Sequence, residues 1–173
     1  MTRAELNALR RLAEGEPSMT RVALNDIGNP AGVRRAMQRE FETALRGKES
    51  TAQLVDRLVR VAGVSQTRAA TIAQTERTRA ANGSRYAQAI EEYLRAYDKA
   101  VKGHRKRPAL PVFQWINPRY AKEPRPHHVA ISGKRCKVGE EFLPGLHYPG
   151  DPDAPARETI NCHCYIRRWG GDV

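Results

Sequence analysis

Apolar residues recur at helical intervals through the first hundred positions of this chain. Leu6, Leu9 and Leu12 follow Thr2 and Glu5, which are spaced as a capping box. Pro17 and Ser18 interrupt the pattern. Asn29-Pro30 reads as an N-cap with proline at the first helical position, and Val33, Met37, Phe41, Ala44 and Leu45 then form one apolar stripe that Gly47 stops. Ser50 and Gln53 cap a short third helix carrying Leu54, Leu58 and Val61, which Gly63 ends. The pattern predicts a long fourth helix from about Gln66 to Val101, with Ile72, Tyr86, Ile90, Tyr93, Leu94, Tyr97 and Val101 on its stripe. Its middle breaks the rule. Thr75-Glu76-Arg77-Thr78-Arg79 and Asn82-Gly83 put polar groups where the stripe should continue. Such a stretch is either a solvated face or a polar seam against another part of the chain or a partner.

Past residue 102 the period changes. A basic linker over 102–111 ends in Pro108 and Pro111, and Val112 to Asn117 alternates as a strand. His128 to Ile131, the Ser132-Gly133 turn and Lys134 to Val138 read as a hairpin. Residues 143–157 hold Pro144, Pro149, Pro152 and Pro155 with two glycines, a loop by composition, and Thr159 to Trp169 reads as the last strand. There is no internal repeat. The predicted class is α+β: a helical region over 1–102 with one long helix, then a small β-rich, turn-rich C-terminal module over 103–173.

Charge adds a partner class. A net charge of +11 and an isoelectric point near 10.1 favour polyanions, nucleic acid first and acidic protein surfaces second. The densest run supplies Lys102, Arg105, Lys106 and Arg107 as candidate backbone contacts that ignore base sequence. Trp115 and Trp169 could stack bases or anchor a small core. No apolar run is long enough for a membrane span, and residues 1–16 lack the apolar centre of a signal peptide. Three cysteines, an odd number, fit reduced thiols in a cytosol better than a secreted disulfide framework.

Two of those cysteines bracket His163. In a strand, Cys162 and Cys164 would share one face and His163 would take the other. Together with Cys136 and one of His127 or His128 they would make a Cys3His set of the kind that holds structural zinc. The bland alternative is a pair of small buried hydrophobes beside a core histidine. His127, His128 and His163 with Asn161 loosely resemble a histidine–asparagine–histidine nuclease, but Asn161 and His163 stand only two apart. A cysteine nucleophile paired with His128 has no local signature behind it. The chain carries no Gly-rich phosphate loop and no paired-carboxylate pattern.

From Thr75 to Trp169 the chain resembles the C-terminal domain of the phage Mu F-like minor head proteins, the head morphogenesis family. The matching pieces are Thr75-Glu76 with Arg79 and Asn82, then Trp115, Arg125-Pro126-His127-His128 with Ser132-Gly133-Lys134, Tyr148 to Pro152, and Asn161-Cys162-His163-Cys164. The family-like part spans about 66–170 and includes the long helix. Three positions depart from the pattern: Ala121-Lys122 stands near the family's acidic residue, Ser132 replaces its hairpin Asp, and His163 its Arg between the cysteines. The resemblance implies a non-enzymatic particle component of a tailed phage, placed in the head interior or near the portal, and in the host cytoplasm during assembly. Its implied partners are portal or major capsid protein and double-stranded DNA. Glu76, Arg79, Trp115, Arg125, His128, Gly133, Asn161, Cys162 and Cys164 would be the structural motif. Arg125 would pair with an acidic group or main-chain carbonyls, and Asn161 would hydrogen-bond the proline loop. The rival readings are a metal-dependent nuclease or toxin domain on the His/Cys cluster, and a plain DNA-binding module.

Overall fold

The computed structural model describes residues 31–118 and 123–170. The expected first helix with Leu6, Leu9 and Leu12, the Asn29-Pro30 cap and Ala121-Lys122 lie outside the described residues.

Among the described residues three helices come first: α1 (Ala31–Arg46), α2 (Thr51–Ala62) and α3 (Gln66–Lys102). The caps of α2 behave as the sequence predicts. Ser50 and Gln53 form a reciprocal capping box on α2, and Gly63 closes it at φ 64°, where a side chain would be strained. The Ser65 hydroxyl accepts from the Arg68 N–H to start α3. Met37, Phe41, Leu54, Leu58, Ile72 and their neighbours form one buried cluster between these helices. Arg57 of α2 ties it from outside, donating to Glu49 and Glu40 at 2.7–2.9 Å.

α3 is 37 residues long, roughly 55 Å at 1.5 Å per residue. Its second half serves a different core. Tyr86, Ala89, Ile90, Tyr93 and Tyr97 pack on a three-stranded antiparallel sheet of order β2-β1-β3. The central strand is β1 (Val112–Ile116), flanked by β2 (Arg135–Lys137) and β3 (Tyr165–Trp169). The register sets Phe113 against Cys136 on one side and Trp115 against Ile166 on the other. Val101, expected on the stripe, is exposed at the helix end. Mixed α+β architecture is therefore what the chain adopts, with one long helix running through both clusters.

Two expected strands are corrected. His128 to Ile131 does not pair as half of a hairpin; it lies in a short helix, α4 (Pro126–Ala130), and its C-cap. Pro126 at the first helical position has no N–H to give a ladder and a φ already suited to a helix. The partner of β2 is instead β1, and just before β2 Gly133, at φ 96°, donates its N–H to the Trp115 carbonyl at 2.8 Å. The last strand is also shorter than expected. Residues 156–159 form one helical turn, α5 (Ala156–Thr159), Asn161 turns the chain at φ 51°, and pairing begins only at Tyr165.

Candidate functional site

Between its two apolar clusters α3 presents Thr75, Glu76, Thr78, Arg79 and Asn82, all buried. This is the polar break in the stripe, and it is a seam against the C-terminal part. The Thr75 hydroxyl accepts from the Asn161 N–H at 2.9 Å. The Thr78 hydroxyl donates to the Cys162 carbonyl at 2.7 Å. Asn82 is the hub. Its amide nitrogen donates to the Thr78, Pro149 and Cys164 carbonyls at 2.9–3.2 Å, and its oxygen accepts from the Ile166 N–H at 3.0 Å. Glu76 and Arg79 form a buried ion pair along the helix. Gly150 lies directly on the Arg79 backbone, and Tyr148 stacks on Tyr86 at 5.0 Å, so the proline loop is docked on the helix.

The other wall comes from α4. Arg125, just before Pro126, donates to the Arg157 and Ile160 carbonyls, each at 2.6 Å. Main-chain carbonyls are thus its partners, as one of the two expected options had it. The turn of α4 then aims both histidines at Glu158: His127 Nε2 and His128 Nε2 lie 2.7 and 2.9 Å from the same carboxylate oxygen. Burial pushes the Glu158 carboxyl up, but hydrogen bonds from His127, His128 and Arg157 outweigh it and hold the group down at about 2.

Because Glu158 takes His128 Nε2, the opposite nitrogen faces the cysteines. His128 Nδ1 lies 3.7 Å from Cys162 Sγ and 3.8 Å from Cys164 Sγ. Both sulfurs reach the same side even though this segment is not a strand. The hydrogen bond from Cys164 holds Cys162 down at about 5 against burial, with His128 adding to it, while that bond and burial push Cys164 up. Asn117 Nδ2 approaches Cys164 Sγ at 3.6 Å. The Trp115 indole N–H, fully buried, comes near enough to favour the Cys164 thiolate without reaching hydrogen-bond geometry. Its ring stands edge-on to His128, centroids 5.1 Å apart.

Several expected site residues fall elsewhere. Cys136 sits on β2, with β1 between it and β3, and its thiol donates to the Glu141 carbonyl at 3.5 Å. Cys136 is not among the converging ligand atoms, so the Cys3His set is not assembled; the triad is His128, Cys162 and Cys164, with ligand atoms within 4.8 Å of one another. His163 joins neither this triad nor the His127–His128–Glu158 group among the described residues. It lines a surface groove of about 390 Å³ with Gln74, Arg77, Arg85 and Cys164. Asn161 is exposed and contributes its backbone N–H; the bond to the proline loop belongs to Asn82. Trp115 is core, while Trp169 is 41 % exposed beneath the Arg135 guanidinium. Lys102, Arg105, Lys106 and Arg107 are all exposed, and Arg107 also covers Tyr97.

Glu158 is a site residue that sequence reasoning misses. The signal available is thin: it is the one carboxylate between Pro155 and Trp169. His147 and Asp151 are a second unforeseen pair. The backbone and ring N–H groups of His147 both reach Asp151 at 3.0 Å, and Asp151 also accepts from the Asp153 N–H. The hydrogen bond to Asp151 raises the His147 pKa above its usual 6.5, against burial. The protonated ring is favoured in the fold, so its contribution is complete below about pH 6.5 and fades as pH rises through the folded-state value. His147→Ala is accordingly expected to lose more stability at pH 5.5 than at pH 8.5 in paired urea titrations. Equal losses at both pH values would refute the pairing.

No family model matches the chain, and no solved structure matches it. No described helix is long and apolar enough to cross a membrane. YqbB of Bacillus subtilis (strain 168), an uncharacterized protein, is 34 % identical over 85 residues, covering 45 % of this chain and 28 % of that protein. The chain therefore spans less than a third of the length of the relative it resembles.

Proposed function

We propose that this chain is a minor head protein of a tailed bacteriophage that acts in head morphogenesis, contacts portal or capsid protein, and touches packaged DNA. One observation carries the reading. The short pieces that resemble the Mu F-like family are scattered from Thr75 to Cys164, yet Thr75, Asn82, Trp115, Arg125, His128, Gly150, Cys162 and Cys164 converge on one buried seam. Pieces that match by accident have no reason to meet. In this reading the motif is architectural, with its side chains spent on joining helix, proline loop and closing segment. The reading places the chain in the head interior or near the portal, and in the host cytoplasm during assembly.

Contact with DNA follows from the exposed basic stretch at the end of α3. Replacing Lys102, Arg105, Lys106 and Arg107 together by glutamine is expected to weaken binding to duplexes of unrelated sequence equally. The slope of log K against log salt should flatten by roughly 0.9 for each phosphate that is no longer neutralised. An unchanged slope would remove these residues from the DNA surface. The particle assignment is tested by mass spectrometry of purified phage particles, where the chain is expected at low copy number. Its absence from complete heads would overturn the proposal.

A further inference from the structure

We propose that His128, Cys162 and Cys164 form a binding site for a zinc-class divalent cation. The inference goes beyond the particle reading and stands or falls without it. A metal site needs ligand atoms that converge, a defined imidazole tautomer, and supporting hydrogen bonds behind the ligands. All three are present. His128 Nδ1 faces both sulfurs at 3.7 and 3.8 Å. Such separations suit ligands on one tetrahedral ion, since bonds of about 2.0–2.3 Å at tetrahedral angles place neighbouring ligand atoms between roughly 3.3 and 3.8 Å apart. Glu158 receives the Nε2 proton at 2.9 Å, which leaves Nδ1 as the lone-pair nitrogen; a carboxylate behind a histidine is the usual support of a zinc ligand.

Behind Cys164 stands the Asn117 side-chain N–H, which donates to its sulfur at 3.6 Å. A donor aimed at that sulfur becomes more favourable once the sulfur carries the charge of a metal-bound thiolate. Two thiolates and an imidazole select a soft or borderline ion and reject magnesium and calcium. The described residues supply three ligands, which leaves the fourth tetrahedral position to a water or another small ligand.

A catalytic cysteine would use the same Cys–His–Glu geometry but needs an open nucleophile. Cys162 is 1 % exposed and Cys164 4 %, so an acyl or alkyl substrate has no approach that matches the chemistry. An ion does not need one of that size.

The test uses the whole chain, purified under reducing conditions. Elemental analysis is expected to find about one zinc per chain. Cobalt loading should give a thiolate charge-transfer band together with the visible bands of a tetrahedral ion. Cys162→Ser and Cys164→Ser should abolish the band, and Cys136→Ser should keep it. Glu158→Gln should retain the stoichiometry with affinity lowered roughly 10–100-fold. Should either serine variant fail to fold, the wild-type spectrum and the Cys136→Ser result still decide. Folded, reduced wild-type protein with no zinc and no cobalt–thiolate band would overturn the site, as would loss of the band in Cys136→Ser.

Discussion

Replacing Asn82 by alanine is expected to lower the unfolding free energy by ~3–5 kcal/mol, the largest effect of any single polar substitution in the seam. Asn82 is 1 % exposed. It serves groups from three parts of the chain that are distant in sequence: its own helix, the proline loop at Pro149, and the closing segment at Cys164 and Ile166. An amide offers two hydrogens and one oxygen, so the three carbonyls share two donors and the Ile166 N–H takes the oxygen. This arrangement also fixes which end of the amide is which. The Thr78 carbonyl belongs to the ladder of α3 and survives the loss. The Pro149 and Cys164 carbonyls and the Ile166 N–H are left without the partner they had, and each buried group left unpaired costs about 1–3 kcal/mol. Against a typical total stability of about 5–15 kcal/mol, that is a large share. The urea midpoint should fall by roughly 2 M for an ordinary dependence on denaturant. Asn82→Asp is expected to do no better, because a carboxylate has no proton to offer the carbonyls it would face. A loss below about 1 kcal/mol in Asn82→Ala would mean that water takes over the hub, and the seam would then not be the dry joint its burial describes.

Asn82 also marks where sequence reading succeeds and where it stops. A polar residue in the middle of an apolar stripe is visible at once, and the choice between a solvated face and a seam is as far as periodicity goes. The choice is made by a segment 67–84 residues away, and no local rule carries that information. The caps of α2 and the extent of α3 are legible because they depend on neighbours within a turn. The run His128-Val129-Ala130-Ile131 reads wrongly as a strand because three apolar residues in a row carry no period, and the deciding signal is Pro126, two positions ahead of it. The ending at Asn161 to Cys164 reads with the wrong backbone and the right side-chain grouping: the sulfurs do converge, through a turn at Asn161 and not through strand alternation. Residue type and an expected hairpin draw Cys136 into the ligand set. Its thiol instead donates to the Glu141 carbonyl and lies outside the converging group, a placement that tertiary pairing decides. Glu158 escapes notice for the complementary reason, since a lone carboxylate gains meaning only once two histidines from another segment arrive beside it.

Gly150→Ala is expected to cost ~2–5 kcal/mol, and Gly145→Ala, five residues earlier in the same loop, only about 1–2 kcal/mol. Both glycines sit at positive φ, 82° and 72°, so both substitutions force an L side chain into left-handed backbone. What separates them is the neighbour. A Cβ on Gly150 would lie 2.7 Å from Arg79 Cα and 2.9 Å from Arg79 N, whereas one on Gly145 meets only Pro155 Cδ at 3.9 Å. Arg79 Cα and N are backbone atoms inside a long helix and cannot swing aside as a side chain would, so the loop itself must lift, at an added cost of about 1–3 kcal/mol. Lifting pulls Pro149 from Asn82 and Tyr148 from Tyr86, which spreads the damage along the seam. In a chain of this size 1 kcal/mol moves the melting temperature by roughly 2–4 °C, so Gly150→Ala should melt about 10 °C low and Gly145→Ala only a few degrees low. Amide exchange should report the same contrast locally. The Asp151 and Ala154 N–H groups, bonded to the Tyr148 and Asp151 carbonyls, should lose protection in Gly150→Ala well before the sheet amides do. Equal losses in the two variants would assign the whole effect to backbone conformation and remove close contact with α3 as the reason for a glycine at this position.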